Sequence, residues 1–301
     1  MSQLIVRTLI EDNFDYYNLE NLFDESEINK YSKWVYSRFN SVCKKNMDSQ
    51  LNSEWIVRHY LATKMILSAT VMLSSLEYCL EQNVRISVPY LSYYSILTCC
   101  RAVVFTLPNI SWENGKDSIM EMNHSKTIKS IKDCLMKLNK NYAEEIYNQI
   151  NSYKDYRELF SYKFPASGTG IMDYENYSYD KTVDICRILC EIAQLNSYQV
   201  EKYVNKNCLH NLEEFKTLDK NYLNRCFCYN IDNENITIID NEDWYRIDYI
   251  RRKQPFPVSI YYTMTEGMVE DFFGAWCPDS DEDDDLLYNP DVDWQIIFPV
   301  P

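Results

Sequence analysis

From Ser53 to Gln82 the chain reads "SEWIVRHYLATKMILSATVMLSSLEYCLEQ", an unbroken stretch without glycine or proline. Nothing in it can end a helix early, so it predicts one central helix of about eight turns. Ser53 reads as its N-cap. Only five glycines occur in 301 residues, so few positive-φ loops or glycine-rich phosphate cradles can be built, and long helices with sparse punctuation are favoured.

The flanking text continues the pattern. "ESEINKYSKWVYSRFNSVCKKN" spaces Ile28, Tyr31, Val35, Phe39 and Val42 for an amphipathic helix over about Glu25 to Lys44. "VPYLSYYSILTCCRAVVFT" opens on Pro89 in a first-turn position and stops before Pro108. It is apolar nearly all round and therefore reads as the buried centre of a bundle. Further helices are expected from about His124, over "NYAEEIYNQINSYKDYRELF", and from Tyr179 to about Asn205. "SQLIVRTLI" near the start alternates like a short strand. From about residue 222 the period changes: "RCFCYNI", "NITIID", "WYRIDYI", "VSIYYTM" and "WQIIF" read as short strands, with one helix at "EGMVEDFFGAW". The expected fold is mainly α, a helical bundle with a small β-rich (α+β) C-terminal unit. Residues 1–52 form a strand and helix on the bundle, 53–218 the bundle, and 219–301 the β-rich unit with an acidic loop.

Composition narrows the function classes. A hydrophobic content of 46% with 15% aromatics excludes a mainly disordered chain. A net charge of −15 excludes broad electrostatic attachment to nucleic acid or an anionic membrane, though a local basic pocket stays open. The eleven cysteines are odd in number and sit in apolar helical text, which reads as reduced core thiols of a cytoplasmic protein. No secretory signal or membrane span is read, since the longest uncharged apolar-rich run, Ile86 to Cys100, contains Pro89.

Within residues 53 to about 205 the order of features resembles the HEPN superfamily of all-α domains. "SYYSILTCCRAVVF" supplies Tyr93, Tyr94 and Arg101, "NHSKTI" supplies His124, Ser125 and Ile128, and "YRELFSY" supplies Arg157 and Tyr162. The closest likeness is to small bacterial HEPN proteins whose helices carry similar motifs. The resemblance implies a HEPN-like helical bundle and a toxin or antiviral-defence component that binds or cleaves RNA or a nucleotide. Arg101 and His124 would be the catalytic pair, with Tyr94, Arg157 and Tyr162 contacting substrate. Two features depart from the family: the insert "NISWENGKDSIMEM" is long, and the Arg-x4-6-His motif of its ribonucleases is absent, because "ELFSYKF" after Arg157 holds no histidine.

The residues themselves admit two readings. Tyr90, Tyr94, Leu97 and Arg101 share one helical face. Arg101 could grip a phosphate while His124, kept neutral at a helix N-terminus, takes a proton from a ribose 2′-hydroxyl in metal-independent cleavage. Alternatively Arg101 pairs with a structural carboxylate or a helix C-terminus and His124 is an ordinary first-turn residue. His59 and His210 read as structural, no Cys-x2-Cys pair exists for zinc, and no cofactor motif is present. "DSDEDDD" lacks the glycine and glutamate of a calcium loop. Its Asp279, Asp281, Glu282, Asp283, Asp284 and Asp285 read as a solvated loop or a patch that docks a basic protein partner. The rival to the RNA reading is thus a catalytically silent interaction module. A homodimer is left open.

Overall fold

The computed structural model describes residues 16–114, 117–173, 175–209, 218–231, 236–264, 266–278 and 288–298. The chain is mainly α-helical. Its helices are α1 (Tyr17–Leu22), α2 (Glu25–Cys43), α3 (Ser49–Glu81), α4 (Val88–Thr106), α5 (His124–Leu135), α6 (Lys140–Tyr162), α7 (Tyr179–Asn207), α8 (Lys220–Phe227), α9 (Asn241–Lys253) and α10 (Glu266–Gly274). Strands among the described residues form two antiparallel hairpins: β1 (Glu113–Asn114) with β2 (Asp117–Ser118), and β3 (Cys228–Ile231) with β4 (Ile236–Ile239), the latter pairing Cys228 with Ile239. The strand expected at "SQLIVRTLI" lies outside the described residues.

The uninterrupted stretch forms α3, 33 residues long, but it begins one turn before the expected cap. Asp48 is the N-cap and accepts the Leu51 amide at 2.7 Å, while the Ser53 hydroxyl donates to Ser49 O at 2.7 Å and accepts the Asp219 amide at 2.9 Å. An aspartate outcompetes the serine because its charged oxygen also meets the positive end of the helix. Next to α3 lies α4, packed by α3, α5, α6 and α7, so it is the bundle's central helix. The segment 85–106 is long and apolar enough to cross a membrane, but 78% of its apolar window is buried inside the protein, as in a core helix.

Two polar devices hold this core together. Arg58, only 1% exposed, extends from α3 to the C-terminal end of α4. Its Nε donates to Phe105 O (2.7 Å), Nη2 to Leu107 O (2.8 Å), and Nη1 to Ile110 O (3.0 Å) and to the Glu54 carboxylate (3.0 Å). The guanidinium thus satisfies carbonyls that the last turn of a helix leaves without partners. On α7, buried Glu191 accepts the Asn18 and Leu19 amides at 3.0 and 2.8 Å and caps the start of α1. Further along, Gln194, Ser197 and Glu201 accept the backbone amides of Tyr261, Ile260 and Ser259 at 3.0, 3.0 and 2.7 Å.

That second set of bonds corrects the C-terminal reading. No β-rich unit is present among the described residues. "VSIYYTM" is a single 3-10 turn at Ile260–Tyr262, because α7 side chains take the amide hydrogens that a neighbouring strand would otherwise have taken. "WYRIDYI" lies in α9, whose Asp240 cap accepts the Asp243 amide at 3.1 Å. Glu242 and Asp243 stand in its first turn and Arg251, Arg252 and Lys253 in its last, both favourable to the helix dipole. "RCFCYNI" divides between α8 and β3, so Cys226 and Cys228 do not share a strand face. "WQIIF" is a turn whose Ile297 and Phe298 are buried. The C-terminal residues Phe227, Ile250, Ile260, Phe273 and Phe298 belong to the same continuous core as Leu67, Leu97 and Leu189 of the bundle.

Candidate functional site

Along α4 only Tyr90, Leu91, Tyr94 and Arg101 escape full burial. At 100° per residue Tyr90, Tyr94 and Arg101 fall within about 40° of one another, with Leu91 to one side, so the otherwise sealed central helix presents a single stripe ending in a cation. Arg101 is thus half-buried and makes no ion pair among the described residues, whereas Arg58 is fully buried. It is Arg58 that binds the carboxylate and helix carbonyls described above.

Opposite the stripe stands the start of α5. Asn123 caps it by accepting the Lys126 amide at 2.9 Å, which places His124 at the first helical position. His124 Nδ1 lies 2.9 Å from the hydroxyl of Tyr93, a fully buried residue of α4, and the Tyr94 ring meets the imidazole edge-on at 6.1 Å between centroids. From α6, the Arg157 guanidinium lies over the rings of Tyr93 and Tyr94, at 5.2 and 5.6 Å from their centres. Its Nε is buried without a hydrogen-bond partner.

Three helices thus bring Tyr93, Tyr94, Arg101, His124 and Arg157 together. Burial lowers the His124 pKa below its ordinary value, and the positive charges of Arg101, Arg157 and Lys154 lower it further, opposed by Glu158. Burial raises the Tyr93 hydroxyl to about 12, with Arg157 pulling the other way. Glu158 itself pairs with Lys154 at 3.6 Å. Neither Arg101 nor Arg157 has a carboxylate partner among the described residues. The consequence is a local excess of positive charge around a neutral imidazole, set in a protein of net charge −15. Such a place favours an anion.

Of the residues singled out in the sequence, Tyr162 stays outside the cluster, at the last position of α6 and 76% exposed. The acidic stretch holding Asp279, Asp281, Glu282, Asp283, Asp284 and Asp285 lies outside the described residues. Sequence reasoning assigned no role to Tyr93, which makes the direct bond to His124, nor to Lys154 and Glu158. The last two were within reach, since positions 154, 157 and 158 share one face of α6. No group of three or more metal-ligating side chains occurs among the described residues.

His59 is fully buried, its Nδ1 2.6 Å from Val258 O, and its pKa is lowered to about 4 by burial. Its bond to the backbone is that of a neutral core residue. Comparison with known proteins gives no match to a family, to a curated protein or to a solved structure.

Proposed function

We propose that this chain is a HEPN-like protein of toxin or antiviral-defence type that binds a phosphate of RNA or a nucleotide between Arg101 and Arg157, with His124 moving the proton in metal-independent RNA cleavage. One observation carries the reading: two arginines without carboxylate partners converge from α4 and α6 on an imidazole whose pKa is lowered. Arginines left this way repel each other unless an anion lies between them, and a phosphate offers the paired oxygens that guanidinium groups bind best.

The roles follow from the chemistry. A base must be neutral before the reaction and within reach of the 2′-hydroxyl proton. Burial and the surrounding cations favour the neutral imidazole. Base action further requires the tautomer in which Nδ1–H donates to the Tyr93 oxygen, leaving the Nε2 lone pair for the hydroxyl. Arg101 and Arg157 would then stabilise the charge that gathers on the phosphorus oxygens in the transition state. Here His124 and Arg157 come from two helices to the same pair of tyrosines, Tyr93 and Tyr94, in place of the Arg-x4-6-His spacing on a single one.

The test is cleavage of, and binding to, a fluorescently labelled single-stranded RNA by purified protein. His124→Ala should abolish cleavage and spare binding, and Arg101→Gln should weaken both, with circular dichroism unchanged. Full retention of both activities by the two variants would leave the silent interaction module as the better account.

A further inference from the structure

Beyond the cluster, the exposed stripe of α4 continues into a second feature. Tyr90 and Leu91 pack beside Phe160 of α6, and Phe160 is three residues, about 4.5 Å along the helix axis, from Arg157. Phe160 forms the floor of a cleft of ≈ 400 Å³ whose walls are Arg85 and Ile86 before α4 and Phe164, Pro165 and Gly168 after α6. That volume falls in the range of small-molecule sites.

The cleft is built unusually. Phe164 is 67% exposed and holds φ of 42°, a left-handed conformation that closes the end of α6 with its amide donating to Leu159 O at 3.1 Å. Gly168 follows at φ 59°, where a Cβ would meet no clash but the backbone angle itself would be strained. Arg85 is anchored through its Nε to Asn83 Oδ1 at 2.8 Å, which leaves the outer nitrogens of its guanidinium unpartnered among the described residues. An aromatic face and a planar cation are thus presented to solvent on opposite walls of a cleft whose Phe160 floor lies about one helical turn from Arg157.

We propose that this cleft is a nucleobase subsite: the base of a nucleoside phosphate stacks on Phe164 and Arg85 while its phosphate lies at Arg157 and Arg101. The inference rests on the phosphate reading above and adds the part of the ligand that phosphate binding cannot recognise. Bases present a flat π face whatever their identity, and aromatic rings and guanidinium planes are the side chains that stack on them. The cation also complements a ligand that is negative overall.

The experiment is calorimetric titration of the whole chain with adenosine 5′-monophosphate, ribose 5-phosphate and a six-nucleotide single-stranded RNA. Wild type should bind the monophosphate about ten-fold more tightly than the sugar phosphate. Phe164→Gly and Arg85→Gln should erase that preference and leave ribose 5-phosphate binding unchanged. Arg157→Gln should weaken all three probes. Because Phe164 is exposed and strained, Phe164→Gly should melt no lower than wild type, so a loss of binding cannot be ascribed to unfolding. RNA binding tighter than the monophosphate would support the subsite on a polymer, and equal affinity would support it for a mononucleotide. Equal binding of monophosphate and sugar phosphate by wild type, or a preference that survives Phe164→Gly, overturns the subsite while leaving the phosphate site standing. Absence of binding by any probe overturns both.

Discussion

Replacing Arg58 and Arg101 one at a time separates a structural arginine from a ligand-seeking one. Arg58→Met keeps the length and apolar stem but removes the charge and the donors. It strands the backbone carbonyls of Phe105 and Ile110 together with the Glu54 carboxylate, and leaves Leu107 O only its longer bond from the Ile110 amide at 3.3 Å. Each stranded acceptor costs about 1 to 3 kcal/mol. Relaxation and partial hydration of the helix end reduce the sum, so the expected loss is about 3 to 5 kcal/mol, as for other broken buried charge networks. Arg101→Met removes no hydrogen bond and no ion pair, so its stability should stay within about 0.5 kcal/mol of wild type. Urea unfolding followed by far-ultraviolet circular dichroism reads both as shifts in midpoint at a common slope. If Arg58→Met costs under about 1 kcal/mol, the cap on α4 does not hold as described. If Arg101→Met costs as much as Arg58→Met, then Arg101 is structural and the phosphate site falls with it.

Further outcomes follow from the same geometry. His59 has a folded pKa lowered to about 4, so protons bind the unfolded chain more readily. Its contribution is complete above the unfolded value of about 6.5 and is lost as pH falls, reaching about 3 kcal/mol lost at pH 4. The urea midpoint of His59→Gln should therefore vary less between pH 7 and 4 than that of wild type, and equal variation would contradict a buried neutral imidazole. Buried Asp243 of α9 accepts from the Tyr60 hydroxyl and the Lys64 ammonium of α3, so Asp243→Ala should destabilise by about 3 to 5 kcal/mol. Limited proteolysis should then cut faster within residues 241–264, and unchanged protection would mean that apolar packing alone holds the segment. The His124 imidazole should titrate below its ordinary value by nuclear magnetic resonance, and inorganic phosphate should raise it, because an anion offsets Arg101 and Arg157. A titration unmoved by saturating phosphate would count against an anion site.

Most of the bundle was legible because its signals are local. The absence of glycine and proline marked α3, Pro89 marked the start of α4, and apolar spacing marked α2 and α5 to within a few residues. The C-terminal third was misread where the deciding partners are far away in sequence. Nothing in "VSIYYTM" shows that Gln194, Ser197 and Glu201 will take its amides, so its β-branched and aromatic residues read as a strand. In α9 the better signal was present. Asp240 before "NEDW" and the basic close at "RRK" outline a capped helix, and they carry more weight than the aromatic content that suggested a strand.

The site was legible in its composition and not in its wiring. Helical phase aligned Arg101 with Tyr94, and the order of motifs pointed to His124 and Arg157, but phase cannot show which tyrosine turns toward the imidazole. That tyrosine is Tyr93, from the buried side of α4. Nor can a sequence show which arginine is the structural one. Arg101 sits in the more apolar helix of the two, with no other charge in it, while Glu54, His59 and Lys64 flank Arg58, so the sequence points to the wrong one as the costlier to bury. What separates them is position along the bundle: Arg58 is level with the end of α4, where orphan carbonyls supply acceptors. Arg101 lies mid-helix on the partly exposed flank of α4, where the backbone carbonyls are bonded within the helix. An arginine in the first place completes the fold, and one in the second keeps a charge that solvent or a bound anion can meet.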